Sequence, residues 1–176
     1  KGRSLVAFAA TSIVIGALLS VALGTPYHED EVYGPKQTAF EKVEFSIVLE
    51  GNHHQIKPSE NGKIEIRSMG DGFGVPGSAI KIITKEEKSD GELYYQLKQR
   101  KRGWFTELKQ TNEIRIPPEF SGSFNVVVRS GVLSVDLAKM GGEQRWRFFA
   151  EDPEMLQIVE GEAGTTAEHQ VLPLED

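Results

Sequence analysis

The segment Ser4 to Gly24, SLVAFAATSIVIGALLSVALG, runs for 21 residues without a charge. As a helix it spans roughly 30 Å, the thickness of a bilayer's hydrocarbon core. In lipid, only a helix satisfies its own backbone hydrogen bonds over a single segment. Lys1 and Arg3 precede it, and His28, Glu29, Asp30 and Glu31 follow it. The positive-inside rule then puts the N-terminus in the cytoplasm. The expected location is the inner (plasma) membrane, with the rest of the chain periplasmic or extracellular. A cleaved signal peptide is the rival reading, because Ala22-Leu23-Gly24 offers small residues at a peptidase-like spacing. The apolar run is longer than a typical signal core, which favours an uncleaved anchor. The chain starts at Lys1 rather than Met, so a few leading residues are expected before it.

Small residues recur along this helix at steps of three or four: Ala9, Ser12, Gly16, Ser20 and Gly24. Such a row lets a second helix approach closely. It is equally a common feature of any membrane helix, and the spacing alone leaves both readings open.

Composition narrows the function. The chain has no cysteine, which excludes disulfides, thiolate catalysis, iron–sulfur ligation and c-type haem attachment. A cysteine-free exported domain of this size fits a bacterial periplasm better than an animal extracellular space. The net charge of −6 argues against nucleic acid as a partner, since phosphate binding needs a basic face.

Beyond a polar linker, 25–39, the chain alternates apolar and polar residues in short stretches. Val43, Phe45, Ile47 and Leu49 form one alternating set, and Leu93, Tyr95 and Leu97 another. Ile64 with Ile66, Ile80 with Ile82, and Ile114 with Ile116 are shorter examples. Phe124, Val126 and Val128 are parted from Leu133, Val135 and Leu137 by Ser130-Gly131, a spacing that predicts a tight hairpin. Trp146, Phe148 and Ala150 form the last clear set. About eight strands at roughly ten-residue spacing predict an all-β domain, a sandwich or barrel, over 40–160. No amphipathic helix is evident there. The expected organisation is an anchor over 1–24, a linker over 25–39, the β domain, and an acidic extended tail over 161–176.

Residues 94–129 read YYQLKQRKRGWFTELKQTNEIRIPPEFSGSFNVVVRS. A Tyr pair, a turn, a Trp, a short apolar segment and a Val-rich strand follow one another. This order resembles the second half of immunoglobulin-like and fibronectin-III-like domains. The antibody-type cysteine pair is missing. The resemblance implies a β-sandwich used for binding or as a scaffold, and no particular ligand.

The C-terminal stretch 151–176 holds eight acidic residues and no Lys or Arg. Met155, Leu156, Ile158 and Val159 suggest a last strand, and the composition beyond Gly161 reads as disordered.

Few residues suggest chemistry. His53-His54, with His28 and His169, invites a metal reading. Adjacent strand residues point to opposite faces, and no further ligand stands at a suitable spacing. A polar loop between Gly51 and Lys57 is the expected setting. The stretch Ser68 to Gly77 is glycine-rich but enters no helix, so it predicts a hydrated or docking loop rather than a phosphate cradle. Asp71 alone is weak grounds for calcium. Glu86-Glu87 is read as a polar turn. No Gly-x-Ser-x-Gly elbow occurs. No cofactor or dedicated small-molecule substrate is expected, and the chain is not expected to be an enzyme.

Lys98, Arg100, Lys101 and Arg102 stand beside Trp104 and Phe105. Cations next to aromatics suit an anionic lipid surface or an acidic partner. The bland alternative places Trp104 in the core beneath a solvated turn. Arg145 and Arg147 are expected on a solvated face opposite Trp146. The leading functional expectation is a non-catalytic accessory subunit of a multi-subunit membrane complex. Its partners would be other membrane-protein subunits and the lipid bilayer, and bioenergetic complexes, photosynthetic or respiratory, are the leading hosts. The alternative is a stand-alone, membrane-anchored periplasmic binding or sensor module.

Overall fold

The computed structural model of the chain describes residues 24–36, 40–141, 143–160 and 168–173, together with Ser12. Among these no helix is long and apolar enough to cross a membrane. The expected membrane helix over 4–24 lies outside the described residues, apart from Ser12 and Gly24.

The described part is almost entirely β. In chain order the strands are β1 (Thr25–Tyr33), β2 (Lys42–Leu49), β3 (His53–Pro58), β4 (Glu65–Gly74), β5 (Ala79–Ser89) and β6 (Glu92–Arg102). There follow β7 (Phe105–Ile116), β8 (Ser121–Val128), β9 (Val132–Asp136), β10 (Gln144–Ala150), β11 (Leu156–Val159) and β12 (Glu168–Pro173). Short 3₁₀ turns occupy Leu137–Lys139 and Pro153–Met155. One six-stranded sheet runs β1-β4-β7-β3-β9-β11 and the other β12-β10-β8-β2-β6-β5. Here they are called the first and second sheets.

Most successive strands switch sheets, the exceptions being β3 to β4 and β5 to β6. β2 leads to β3, β6 to β7, β8 to β9 and β10 to β11, each pair forming one flattened turn of a coil. The turns stack by parallel pairing, which joins seven of the ten strand neighbours described. β1–β4, β4–β7 and β5–β6 are antiparallel. Immunoglobulin and fibronectin-type sandwiches are antiparallel, so the two-sheet, all-β expectation stands while the pairing differs from the resemblance. The hairpin expected at Ser130-Gly131 is corrected too: that turn carries the chain from β8 in one sheet to β9 in the other. Alternation reports which face of a strand is buried. It does not report the partner or its direction.

Parallel stacking in register lines identical positions up across the turns. Tyr95, Phe45, Phe124 and Trp146 face one another on four adjacent strands of the second sheet. Phe45 stacks on Tyr95 at 6.0 Å, and Phe124 on Trp146 at 4.6 Å. In the first sheet Ile66, Ile114, Ile56, Val135 and Ile158 form the matching row. The two rows belong to one core cluster. Each side chain fully buried there contributes about 1.5–3 kcal/mol. On β10, Arg145 and Arg147 are exposed and alternate with buried Trp146 and Phe148, as the pattern predicts.

Three strands lie where the sequence suggested none. The polar linker, 25–39, contains β1, paired along nine positions with β4. The polar loop around His53-His54 is β3, inside the first sheet with His54 buried. The extended tail contributes β12, parallel to β10. The Glu86-Glu87 turn is likewise part of β5. β1, β5 and β12 are edge strands. An edge strand of a stacked coil needs little apolar surface, so composition under-reports it.

Candidate functional site

Most of the glycine-rich stretch read as a loop, Ser68 to Gly74, is strand β4, and only Val75 to Gly77 form a turn. Gly70, Gly72 and Gly74 face inward, and a Cβ on Gly72 would stand 2.0 Å from the Glu107 carbonyl oxygen. Gly72 thus permits close packing of β4 on β7, while Gly70 makes room for Tyr27 and Ile80 and Gly74 for Ser78. A bulge between Phe73 and Gly74 shifts the β4–β7 register at this end and turns the strand toward its corner.

At that corner the β4–β5 and β6–β7 turns are bonded together. The Trp104 N–H donates to Ser78 Oγ at 3.0 Å, and Ser78 Oγ donates to the Trp104 carbonyl at 2.8 Å. The Val75 N–H donates to the same carbonyl at 2.9 Å. Thr106 Oγ1 donates to the Phe73 carbonyl at 3.2 Å. Gly103 precedes Trp104 at φ +84°, and a Cβ there would meet Ser78 Oγ at 2.6 Å. These contacts hold Trp104 outward, 74% exposed, with Phe73 at 49% and Val75 at 38%. The reading that placed Trp104 in the core is therefore corrected. The core tryptophan is Trp146, which is 1% exposed.

Cations line the strands that lead into this corner. Arg100, Lys101 and Arg102 end β6, exposed, opposite Lys81, Ile80 and Ala79 of β5. Lys98 lies one outward position back, opposite half-exposed Ile83. None of Lys81, Lys98, Arg100, Lys101 and Arg102 makes an ion pair among the described residues. Nearby acids have other partners: Asp71 binds His28 at 2.7 Å, and Glu107 lies 3.8 Å from Lys109.

β1 starts at the same corner. Thr25 pairs with Gly74 and Pro26 with Phe73. The Thr25 hydroxyl donates to the Gly74 carbonyl at 3.1 Å. Two residues on, Tyr27 packs edge-on against Phe105 and accepts the Ile80 N–H at 3.1 Å. Its own hydroxyl donates to Glu29. Tyr27 thereby ties β1 to the second sheet as well as the first. Burial and the Glu29 carboxylate push its hydroxyl up to about 12. Outward along β1, the hydrogen bond and charge of Asp71 raise the His28 pKa, while Arg67, donating twice to Asp30, lowers that carboxyl.

Beneath the corner lies a buried polar row. Asn112 Nδ2 donates to Gln99 Oε1 and to His54 Nδ1, each at 3.0 Å. Gln99 Nε2 donates back to Asn112 Oδ1 at 2.5 Å. His54 Nε2 lies 2.8 Å from the Ser130 carbonyl. A carbonyl only accepts, so the proton sits on Nε2 and the ring is neutral. Burial lowers the His54 pKa. The Gln110 side chain is fully buried, and neither its amide N nor its O has a protein partner. Among the described residues no three His, Asp or Glu side chains gather as a metal site would require.

No protein family model and no curated protein sequence matches the chain. It is similar in fold to the crystal structure of a candidate cell adhesion protein from Clostridium sporogenes. That likeness has a TM-score of 0.61 at 11% identity, over 84% of this chain and 68% of the other. A candidate adhesin from Parabacteroides distasonis aligns over 84% of this chain and 56% of its own at 10% identity, with a TM-score of 0.24. The first likeness shows a shared β architecture, and the second is too low to bear on it.

Of the residues singled out from sequence, Arg100, Lys101, Arg102 and Trp104 are brought together at one exposed corner. Ala9, Gly16 and Ser20 lie outside the described residues, and Ser12 is described only as helical and exposed. Phe73, Val75 and Lys81 complete the corner and were missed. Phe73 and Val75 stood inside a glycine-rich run read as a hydrated or docking loop, with neither residue singled out. Their apolar character there was the available signal.

Proposed function

We propose that the chain is a non-catalytic, membrane-held protein whose β domain works as a rigid scaffold for other macromolecules. The observation that carries this reading is the attachment of β1. The strand continues directly from the uncharged apolar segment and pairs along nine residues with β4. A domain joined in this way follows the position of its anchor closely. The absence of catalysis is supported by how the reactive groups are used. Both His54 nitrogens are bonded within the protein, and Glu113 is held by Lys57 at 3.0 Å and Arg115 at 2.6 Å.

Within this reading, the small-residue row Ala9, Ser12, Gly16 and Ser20 supports an accessory subunit that packs against other membrane-protein subunits. A photosynthetic or respiratory assembly remains the leading host class by expectation alone. The second reading, a stand-alone adhesive or sensing module, draws on the fold likeness to the Clostridium sporogenes protein. Membrane fractionation followed by purification in mild detergent tests both. Alkali-resistant membrane retention with co-purifying subunits supports the accessory role, and retention as a single species supports the stand-alone module. A chain recovered wholly in the soluble fraction overturns the membrane-held reading.

A further inference from the structure

We infer that the corner formed by Phe73, Val75 and Trp104 with Lys81, Lys98, Arg100, Lys101 and Arg102 docks on anionic lipid headgroups and sets the orientation of the domain on the bilayer. The inference rests on the membrane-held reading and adds a lipid class and a contact surface to it.

Three independent features meet at this corner. The first is position. Thr25 is bonded to Gly74 and Pro26 is paired with Phe73, so the end of the apolar segment lies next to the exposed aromatics. An anchor ending there brings these side chains to headgroup depth. The second is chemistry. Tryptophan prefers the membrane interface, where its ring is shielded and its N–H stays hydrated. Ser78 holds Trp104 outward through two hydrogen bonds, although exposure of an indole to water is unfavourable. The third is charge. The chain carries −6 overall, so an anionic surface repels it on average. Five cations without ion pairs among the described residues lie on β5 and β6, while acids at the same end have partners, Asp30 with Arg67, Asp71 with His28 and Glu87 with Lys85. Glu151, Asp152 and Glu154 lie in the β10–β11 turn at the far end. That asymmetry turns one end of the stack toward an anionic surface and the other away.

The test uses the full chain reconstituted into vesicles with brominated acyl chains. One set is phosphatidylcholine alone and the other contains phosphatidylglycerol. Trp104→Phe supplies the emission of Trp146, so the difference from the parent chain reports Trp104. Flotation with the vesicles is scored first, and a chain that does not float overturns the membrane-held reading and this inference together. For a chain that floats, Trp104 should be quenched and blue-shifted in phosphatidylglycerol vesicles and much less so in phosphatidylcholine. The combined Arg100→Gln, Lys101→Gln, Arg102→Gln variant should lose about half or more of that quenching, since each cation near an anionic surface contributes on the order of a fivefold preference. Added salt should do the same to the unmodified chain, independently of any effect of the substitutions on folding. Floating chains whose Trp104 stays as water-exposed in phosphatidylglycerol as in detergent overturn the lipid-docking inference alone.

Discussion

Ser78 and Trp104 are joined by two hydrogen bonds in opposite directions, the Ser78 hydroxyl accepting the Trp104 N–H at 3.0 Å and donating to its carbonyl at 2.8 Å. Ser78→Ala removes both. Because the corner is solvated, the expected loss of stability is small, about 0.5–1 kcal/mol. The expected local effect is larger. Amide exchange at Trp104 should accelerate well beyond exchange at Trp146, read by mass spectrometry of the two peptides. Equal protection of Trp104 in both proteins would show that Ser78 does not hold it.

Gly72→Ala places a Cβ 2.0 Å from the Glu107 carbonyl, a backbone atom that no rotamer change can move. β4 and β7 must part, and the expected cost is about 3 kcal/mol. Phe73→Ala, one residue on, points outward and should cost less than about 0.5 kcal/mol in water. Denaturant unfolding of the pair measures the difference. Similar midpoints would contradict the tight β4–β7 approach.

His54 predicts a pH dependence. Its folded pKa lies below the ordinary 6.5. Between those two values the unfolded chain binds a proton that the folded chain refuses, so stability is complete above about 6.5 and falls as pH drops below it. The slope can approach about 1.4 kcal/mol per pH unit. His28 acts oppositely: Asp71 raises its pKa, so its contribution is present at low pH and is lost as pH rises through the raised value. Unfolding midpoints measured between pH 7.5 and 5 (roughly the window either histidine can move) should fall more steeply in His28→Asn than in the parent chain. They should flatten in His54→Gln. A parent chain indifferent to this pH range, with or without His28, would refute the assignment.

Gln110→Met keeps the volume and removes a buried amide that has no protein partner. The bonds made by the Gln110 main chain, its N–H donating to Asn52 Oδ1 at 2.8 Å and its carbonyl accepting the Asn52 N–H at 2.9 Å, are untouched. The expected result is a gain of about 1 kcal/mol, the usual penalty for an unsatisfied buried group. Thermal unfolding checks it, and a loss of similar size would show that the amide is bonded in solution.

Much of the β domain was legible because Phe45, Leu97, Val126 and Phe148 sit at alternating positions and alternation identifies the buried face. The partners of those strands were not legible. Whether Phe124 faces Phe45 or a residue of β9 depends on the corner at Ser130-Gly131, and two residues of turn chemistry serve a hairpin or a change of sheet equally well. β1 escaped notice because Glu29, half-buried, and Glu31, exposed, interrupt the apolar alternation on an edge strand that tolerates them. At the corner, the cations and Trp104 were visible in one short run. Phe73 and Val75 come from a different turn, and only folding places them beside it.

The order of strands carries a further consequence. The central turn of the coil, β2–β3, is among the first parts of the chain in sequence, yet its neighbours on either side are β6–β7 and β8–β9. As the chain leaves the ribosome, Phe45 and Ile56 have no lasting cover until residues near 114 arrive on one flank and residues near 135 on the other. Local zippering cannot nucleate such an arrangement. Folding must wait for closure of long loops, which predicts slow kinetics for a domain of this size. An emerging N-terminus held at a membrane would shorten that search by restraining one end of the chain.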